Sequence, residues 1–386
     1  MMKVRYSFLF LSLAIVSALP TPAQTTGQFY LEKQVFSHGE PVFLYFRIPN
    51  QSPFSIASNN TEQPMCSGVA IKVSSDSSAP SASCPFLPDS LCVMNGQSAD
   101  SLSGPQQQTK IIRFLLNYQH KINQPGEYWV DADKRERVGD ALVSTHAKLR
   151  FHIDPKTPRY SAEKLQVWIN RLKSPDIDSR LEAARVLASV AQPEFEDTLL
   201  QFAHDPDFLR YAPLAFHRLH TQRSLVALAN MVRNSPIGST ESLEAAHYLA
   251  EDGGKYWFPV LRGAANQRPD VGYLLYAAEA GGDSIIAELQ SLAPGPDHHL
   301  EAVEALGWTA SRQAIPILLD QLEHTDSITS DRADESLRTL THRIPAADSG
   351  NQDQHARYLQ WSNWWQREGR NAVIFKPDDC GIERPL

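Results

Sequence analysis

Hydrophobic and polar positions follow two different periods along this chain, and the change comes near residue 155. Before it, short runs rich in β-branched and aromatic residues alternate with polar positions and turn residues, as in half-buried β-strands. After it, apolar residues recur three and four positions apart, as on one face of an α-helix. The pattern predicts an α+β protein with a β domain first and a helical domain second.

The pattern in residues 24–154 predicts short strands, and no helical pattern lies between them. This favours an antiparallel β-sandwich over a parallel α/β sheet. The sequence NQPG at residues 123–126 is a turn signal directly before one of these strands. The predicted strands are Val42–Ile48, Val69–Val73, Ile111–Leu116, Tyr128–Asp133 and Ala147–Ile153.

Two prolines mark the predicted domain boundary. The sequence DPKTP at Asp154–Pro158 cannot continue a strand ladder or a helix, and the helical period begins directly after it. We therefore predict a helical domain at residues 160–345.

A seven-residue motif repeats through this second region. The copies LEAARVL, LEAAHYL and LEAVEAL are nearly identical, three others are degenerate, and their starts lie 26 to 34 residues apart, which is the period of a two-helix repeat. Small alanines would let helices approach closely while leucines fill the contact. In chain order the copies are Leu181–Leu187, Pro213–Leu219, Leu243–Leu249, Leu274–Ala280, Leu300–Leu306 and Asp334–Leu340.

These heptamers and the turns before them resemble the short HEAT-repeat type, and Ala314–Leu319 resembles its second-helix segment. The resemblance covers residues 160–345 and implies an α-α superhelix, a HEAT-like solenoid. The first domain resembles the immunoglobulin-like modules that precede repeat arrays in bacterial exported proteins, through Gly39–Val42 (GEPV) and Pro125–Tyr128 (PGEY).

Aspartates and arginines recur in the turns before the first two heptamers. Catalytic carboxylates are the alternative, but each pair directly precedes a helix, where aspartate caps exposed amides. We expect the arginines to bond neighbouring turns in a ladder along the array. The residues are Asp176, Asp178 and Arg180, then Asp205, Asp207 and Arg210.

An aromatic stripe lies in the last segment, residues 350–386, which we expect to be a helical cap and tail. Tyr358, Trp361, Trp364 and Trp365 are spaced to share one helical face. The terminal repeat of a solenoid needs an atypical cap, so covering its open end is the preferred interpretation. A face that binds sugar or peptide is the alternative.

The first residues predict export. Lys3 and Arg5 precede an apolar run, and small residues follow up to Ala23, as in a signal peptide of residues 1–23 cleaved after Ala23. We expect a periplasmic or secreted protein. Loss of Lys3 and Arg5 would take the formal net charge from −8 to −10, and this acidic balance disfavours nucleic acid as a partner.

The four cysteines, Cys66, Cys84, Cys92 and Cys380, are candidates for disulfides, because an oxidising compartment lets disulfides persist. Three pairings are possible, and each complete pairing ties Cys380 to the first domain. A zinc site is the alternative, but no Cys-x-x-Cys spacing occurs.

Motifs for catalysis or cofactors do not occur: the commonest metalloprotease, hydrolase, P-loop and dinucleotide signatures are missing. His204, His217 and His220 are close in sequence, but no carboxylate recurs at a spacing that would complete a metal site. We therefore expect neither an enzyme nor a cofactor or metal site.

The sequence predicts an exported, non-catalytic scaffold or binding protein that holds a protein or peptide on the concave face of the solenoid. Two alternatives remain open. Some short HEAT-type proteins act as lyase-like enzymes on bilin chromophores, although export argues against that chemistry here. An envelope carbohydrate binder is the other.

Overall fold

The computed structural model describes residues 27–48, 69–75, 110–120, 122, 124–138, 141–236, 238–268, 272–295, 298–323, 326–343 and 354–376. These residues confirm the predicted α+β class, with antiparallel sheets in the N-terminal part and helices after them. The predicted signal peptide at residues 1–23 lies outside the described residues. So do Cys66, Cys84, Cys92 and Cys380.

The described strands are β1 (Gln28–Leu31), β2 (Val35–Ser37), β3 (Phe43–Ile48), β4 (Val69–Ser74), β5 (Lys110–Leu115), β6 (Gly126–Val138) and β7 (Ala141–Asp154). They form two sheets, one with the order β1-β3-β5 and the other with the order β2-β7-β6-β4. All pairs are antiparallel except β2 with β7, a parallel pair of three residues at the sheet edge. Each predicted strand falls on an observed one, whereas the two short strands β1 and β2 were missed.

Alternate residues of these strands build one buried apolar cluster. Leu44 and Phe46 of β3 are fully buried, as are Val130 and Ala132 of β6. Because successive side chains of a strand point to opposite faces, this two-residue period places one face of each strand in the core.

Fourteen helices are described, and thirteen of them follow the last strand. Within the described residues, none is long and apolar enough to cross a membrane. The helices are α1 (Leu116–Gln119), α2 (Ala162–Arg171), α3 (Ile177–Val190), α4 (Glu196–Leu200), α5 (Ala212–Leu219), α6 (Gln222–Asn234), α7 (Thr240–Gly253), α8 (Phe258–Ala265), α9 (Tyr273–Gly281), α10 (Ile286–Leu292), α11 (His299–Trp308), α12 (Ala314–Leu322), α13 (Ser327–Thr341) and α14 (Gln354–Arg367).

The six heptamers lie in α3, α5, α7, α9, α11 and α13, and each of these helices packs against the next one in the series. Their alanines are fully buried, as the prediction of close approach requires. The approach is close between α11 and α13, where a Cβ added to Gly307 would lie 2.8 Å from Cβ of Ser336. Ser336 also donates a hydrogen bond of 3.0 Å to the carbonyl of Val303.

The sheets contact the start of the helical region directly. Arg113 of β5 pairs with the buried carboxylate of Glu182 in α3. The Phe43 ring packs on Trp168 of α2, with 6.2 Å between ring centroids. Helix α1, which follows β5, packs on α3 and therefore carries its side chains toward the heptamer helices.

Candidate functional site

Three aspartates of the predicted repeat turns, Asp176, Asp205 and Asp207, have structural partners, and of these three only Asp176 caps a helix. Asp176 caps α3 by accepting a hydrogen bond of 2.9 Å from the Ser179 amide. Hydrogen bonds from the hydroxyl and the amide of Ser179 hold the pKa of Asp176 below its ordinary value. The carboxylate of Asp205 accepts from the Asp207 amide at 2.9 Å, and Asp178 lies in the first turn of α3.

The arginines of these turns behave differently from one another. Arg180 pairs with Asp207, which joins one repeat turn to the next as a ladder would. Arg210 instead lies over the ring of Tyr211, 5.8 Å from its centroid.

The C-terminal aromatic stripe lies against the helical core. Trp361 is 2% exposed, and its indole nitrogen donates a hydrogen bond of 2.6 Å to the carboxylate of Asp334 in α13. Tyr358, Trp364 and Trp365 are partly buried against the same core. Helix α14 thus covers α12 and α13, and Trp361 presents no free surface to a ligand.

Titratable side chains gather instead along α7 and around the last turn of α5. This group, which we name the α5–α7 cluster, also includes two residues that follow β5. Its members are Tyr118, His120, His217, Arg218, His220, Glu244, Tyr248, Glu251 and Asp252.

The centre of the α5–α7 cluster is a buried histidine beside two carboxylates. Nδ1 of His217 lies 2.8 Å from Oδ2 of Asp252 and 3.9 Å from Oε2 of Glu251. Nδ1 of the exposed His220 lies 3.3 Å from the other oxygen of Asp252. The side chains of His217 and Asp252 are only 6% and 8% exposed. The Tyr248 ring stacks on the His217 ring at 4.3 Å, which fixes the plane of the imidazole.

Helix packing creates this arrangement. His217 lies in the last turn of α5, and His220 caps that helix in the left-handed conformation with φ 50°. Glu251 and Asp252 lie in the last turn of α7. Because α5 and α7 are neighbours in the series, the two helix ends bring together ligand atoms that all lie within 4.8 Å of one another. Imidazole nitrogen and carboxylate oxygen are a donor set suited to a divalent transition metal.

Burial sets the charge of the other members. It lowers the pKa of His120 to about 4, with a further contribution from Arg218. Burial raises the pKa of Tyr118 to about 12, and the charge of Glu244 adds to this rise. At neutral pH, His120 is therefore uncharged and Tyr118 keeps its proton.

Glu244 reaches solvent, yet protein on several sides displaces much of the water around it. This desolvation, together with the charge of Glu241, raises the pKa of Glu244 to about 7. Near neutral pH its carboxyl group is thus divided between the acid and the carboxylate. It can donate a hydrogen bond in one form and accept one in the other.

A line of partly exposed rings continues from the α5–α7 cluster across the next helices. His247 lies 5.2 Å from Tyr248 and 5.5 Å from Tyr276, and Tyr276 lies 6.2 Å from Trp308. These rings come from α7, α9 and α11, and the Tyr248 ring also stacks on the buried His217 of α5. We name Tyr248, His247, Tyr276 and Trp308 the aromatic row.

The sequence pointed to only part of these sites. It drew attention to His217 and His220 but missed Glu251 and Asp252, because the carboxylates lie on a different repeat. Alignment of the heptamers offers a signal: His217 is the fifth residue of its copy, and Asp252 comes three residues after the next copy ends. The aromatic row was missed because its members lie on three different helices, and their rings meet only when those helices pack together.

Comparisons with known proteins add no assignment. Neither a protein-family model nor a curated protein matches this chain. Inference about function therefore depends on the residues and their geometry.

Proposed function

We propose that this protein is an exported, non-catalytic binding scaffold that holds a protein or peptide along the aromatic row. The row is the observation that carries the proposal, because its partly exposed rings span three successive heptamer helices. In this proposal residues 24–154 form an immunoglobulin-like β-sandwich and residues 160–345 form a HEAT-like α-α superhelix. The signal peptide of residues 1–23 and disulfides among the four cysteines belong to the same proposal.

The packing of the heptamer helices supports the superhelix. Each of them contacts the next in an unbroken series, with buried alanines and Gly307 at the contacts. The alternate helices, such as α6 and α8, pack together less extensively. When two layers of helices stack in a curve, the more closely spaced layer lies on the inside. The heptamer helices would then line the concave face.

The chemistry of the row suits a peptide. Aromatic rings provide a large contact area at a small cost in side-chain entropy, and they are enriched in protein interfaces. Adjacent packed helices lie about 8–10 Å apart, which is about three residues of an extended chain. A peptide crossing the helices would place every third side chain near a new ring. Tyr118 and Glu244 add hydrogen-bonding groups beside the row.

The carbohydrate alternative is less favoured at the C-terminal stripe. Trp361 is buried and its indole nitrogen is already bonded to Asp334. Stacking on a sugar would need an exposed ring face.

Site-directed photocrosslinking tests the proposed binding face. A photoreactive phenylalanine analogue is placed at Tyr276 in the aromatic row, and the control carries it at Tyr256, an aromatic residue that is 75% exposed outside the row. After irradiation in the native envelope, we expect Tyr276 to give a discrete protein or peptide adduct and Tyr256 to give none. Equal labelling at both positions, or none at Tyr276, would count against the row as the binding face.

A further inference from the structure

We propose that His217, Glu251 and Asp252 form a binding site for a divalent transition-metal ion of the zinc class, with His220 available as a fourth ligand. This proposal does not depend on the binding of a peptide to the aromatic row. It begins with the convergence of one imidazole and two carboxylates at the ends of α5 and α7.

The spacing of the donor atoms fits a small cation. In a tetrahedral zinc site with bonds of about 2.0–2.1 Å, the ligand atoms lie about 3.3 Å apart. Nδ1 of His217 lies 2.8 Å from Asp252 and 3.9 Å from Glu251, on either side of that value. The two pairs that involve His217 need shifts of about half an ångström, and the two carboxylate oxygens, which lie within 4.8 Å of each other, need to approach by up to about 1.5 Å. Side-chain rotation alone can supply such shifts.

The number and type of donors indicate which cation fits. Three protein ligands of the histidine and carboxylate type leave the fourth position of a zinc ion open for water or another ligand. His220 is 61% exposed and lies 3.3 Å from Asp252, so its ring can turn into that position. Imidazole favours zinc and its neighbours over magnesium or calcium, which take oxygen ligands.

The local field also favours a cation. Glu251 and Asp252 lie in the last turn of α7, where the helix dipole is negative and disfavours carboxylates. The last turn of α5 adds a second negative helix end beside them. The two carboxylates and the two helix ends are stabilised by positive charge placed between them, in addition to the charge of Arg218 in the last turn of α5. A divalent ion at Nδ1 of His217 supplies that charge.

The competing explanation is a hydrogen bond that clamps α5 to α7. In that case Nδ1 of His217 keeps its proton and donates to Asp252, and Glu251 has no part in the contact. The two explanations differ in a measurable way. A metal replaces the Nδ1 proton and needs Glu251, whereas the clamp binds no ion.

Zinc titration of the full chain tests the site. Any free thiols are first alkylated, so that cysteines cannot bind the ion, and zinc binding is followed by isothermal titration calorimetry at pH 7.5. The variants are Glu251→Gln and Asp252→Asn, which keep the side-chain shape and remove a charge. The matched control is Glu323→Gln, which alters an exposed pair in which His355 Nδ1 lies 2.8 Å from the carboxylate.

We expect the wild-type chain and Glu323→Gln to bind one zinc ion with the same affinity. Glu251→Gln and Asp252→Asn should bind it at least tenfold more weakly. Cobalt(II) should give the wild-type chain the intense visible absorption of a tetrahedral site, and this absorption should be lost in both variants.

Two results would overturn the proposal: no stoichiometric zinc binding by the wild-type chain, or wild-type affinity in both variants. If Asp252→Asn does not fold, Glu251→Gln decides the question, because Glu251 is 25% exposed and its replacement leaves the contact between His217 and Asp252 in place.

Discussion

At the scale of single residues, the contact between Trp361 and Asp334 shows how the last helix is held. Asp334 is buried, and its two oxygens accept hydrogen bonds from the Trp361 indole and from Arg338, at 2.6 and 2.8 Å. A buried carboxylate is stable only when such partners replace its water. The contact therefore positions α14 on α13 as well as burying an aromatic ring.

Replacing Trp361 with phenylalanine should destabilise the protein. The change keeps an aromatic ring in the core but leaves one oxygen of Asp334 without its donor, at a cost of about 1–3 kcal/mol in the free energy of unfolding. Urea denaturation measures this difference. Trp365→Phe is the matched control and should cost less, because Trp365 is only partly buried. A loss in Trp361→Phe no larger than that in Trp365→Phe would count against a contribution from the hydrogen bond to Asp334.

Glu244→Gln should change how stability depends on pH. The folded state raises the pKa of Glu244 from 4.5 to about 7, so the folded protein binds more protons than the unfolded chain between these values. The contribution of Glu244 to the free energy of unfolding of the wild-type protein therefore falls as pH rises from about 4.5 to 7. Glutamine cannot ionise, and the variant should gain stability relative to wild type across this window.

The quantity to measure is the difference in stability between variant and wild type, determined by thermal unfolding at several pH values. His120 titrates with the opposite sign, because its pKa falls from 6.5 to about 4 and stability is lost as pH falls through this range. The wild-type profile alone would mix the two effects. A variant difference that stays constant from pH 4.5 to 7 would refute the raised pKa of Glu244.

At the scale of helices and strands, close approach between neighbours governs the helical region. Gly307 lies in α11 against Cα and Cβ of Ser336 in α13, where no Cβ can fit without movement of a helix. Glycine is unfavourable inside a helix, so its position here is explained by packing rather than by helix propensity. The heptamer alanines have the same role at the other contacts.

Gly307→Ala should destabilise the contact between α11 and α13. The added methyl group would lie 2.8 to 2.9 Å from Ser336, and overpacking of this kind costs about 1–3 kcal/mol. Gly263→Ala is the matched control, because a Cβ there meets nothing within 4 Å and alanine favours helix by up to about 1 kcal/mol. Chemical denaturation of both variants should give changes of opposite sign. Stabilisation by both substitutions would mean that α11 and α13 can move apart far enough to accept the methyl group.

At the scale of the whole molecule, the sheets and the helical region are joined by a buried ion pair. The Glu182 carboxylate is 8% exposed and pairs with Arg113 of β5, while Arg171 of α2 lies 3.4 Å from its second oxygen. A buried carboxylate needs these cations, since the loss of a partner leaves its charge without compensation. We therefore expect the junction to couple the folding of the two regions.

Arg113→Leu should weaken that coupling. Removing one partner of a buried pair costs about 3–5 kcal/mol, and the retained Arg171 places the expected loss near the lower limit. Calorimetry should show one thermal transition of the wild-type chain separating into two. Arg223→Leu is the control and should have little effect, because its ion pairs with Glu196 and Asp197 are on the surface. A single, unshifted transition in Arg113→Leu would show that the junction does not couple the regions.

The sequence by itself determined the order of the secondary structure. The period of two around Val130 and the period of about 3.6 in the LEAARVL heptamers result from local geometry, because side chains alternate on a strand and recur every turn on a helix. The prolines between Asp154 and Pro158 correctly marked the change from strand to helix, since β7 ends at Asp154 and α2 begins at Ala162. The short strands β1 and β2 were not predicted, because a segment of three or four residues is too short to show a two-residue period.

Only the tertiary structure decided which side chains meet. His217 and Asp252 are 35 residues apart in the sequence, and they meet because α5 packs on α7 with both last turns at the same end. Tyr118 follows a strand of the first sheet, yet the docking of α1 on α3 brings it beside Tyr211 and Glu244. Periodicity describes one element at a time, whereas a site formed by several elements depends on how their faces pack together.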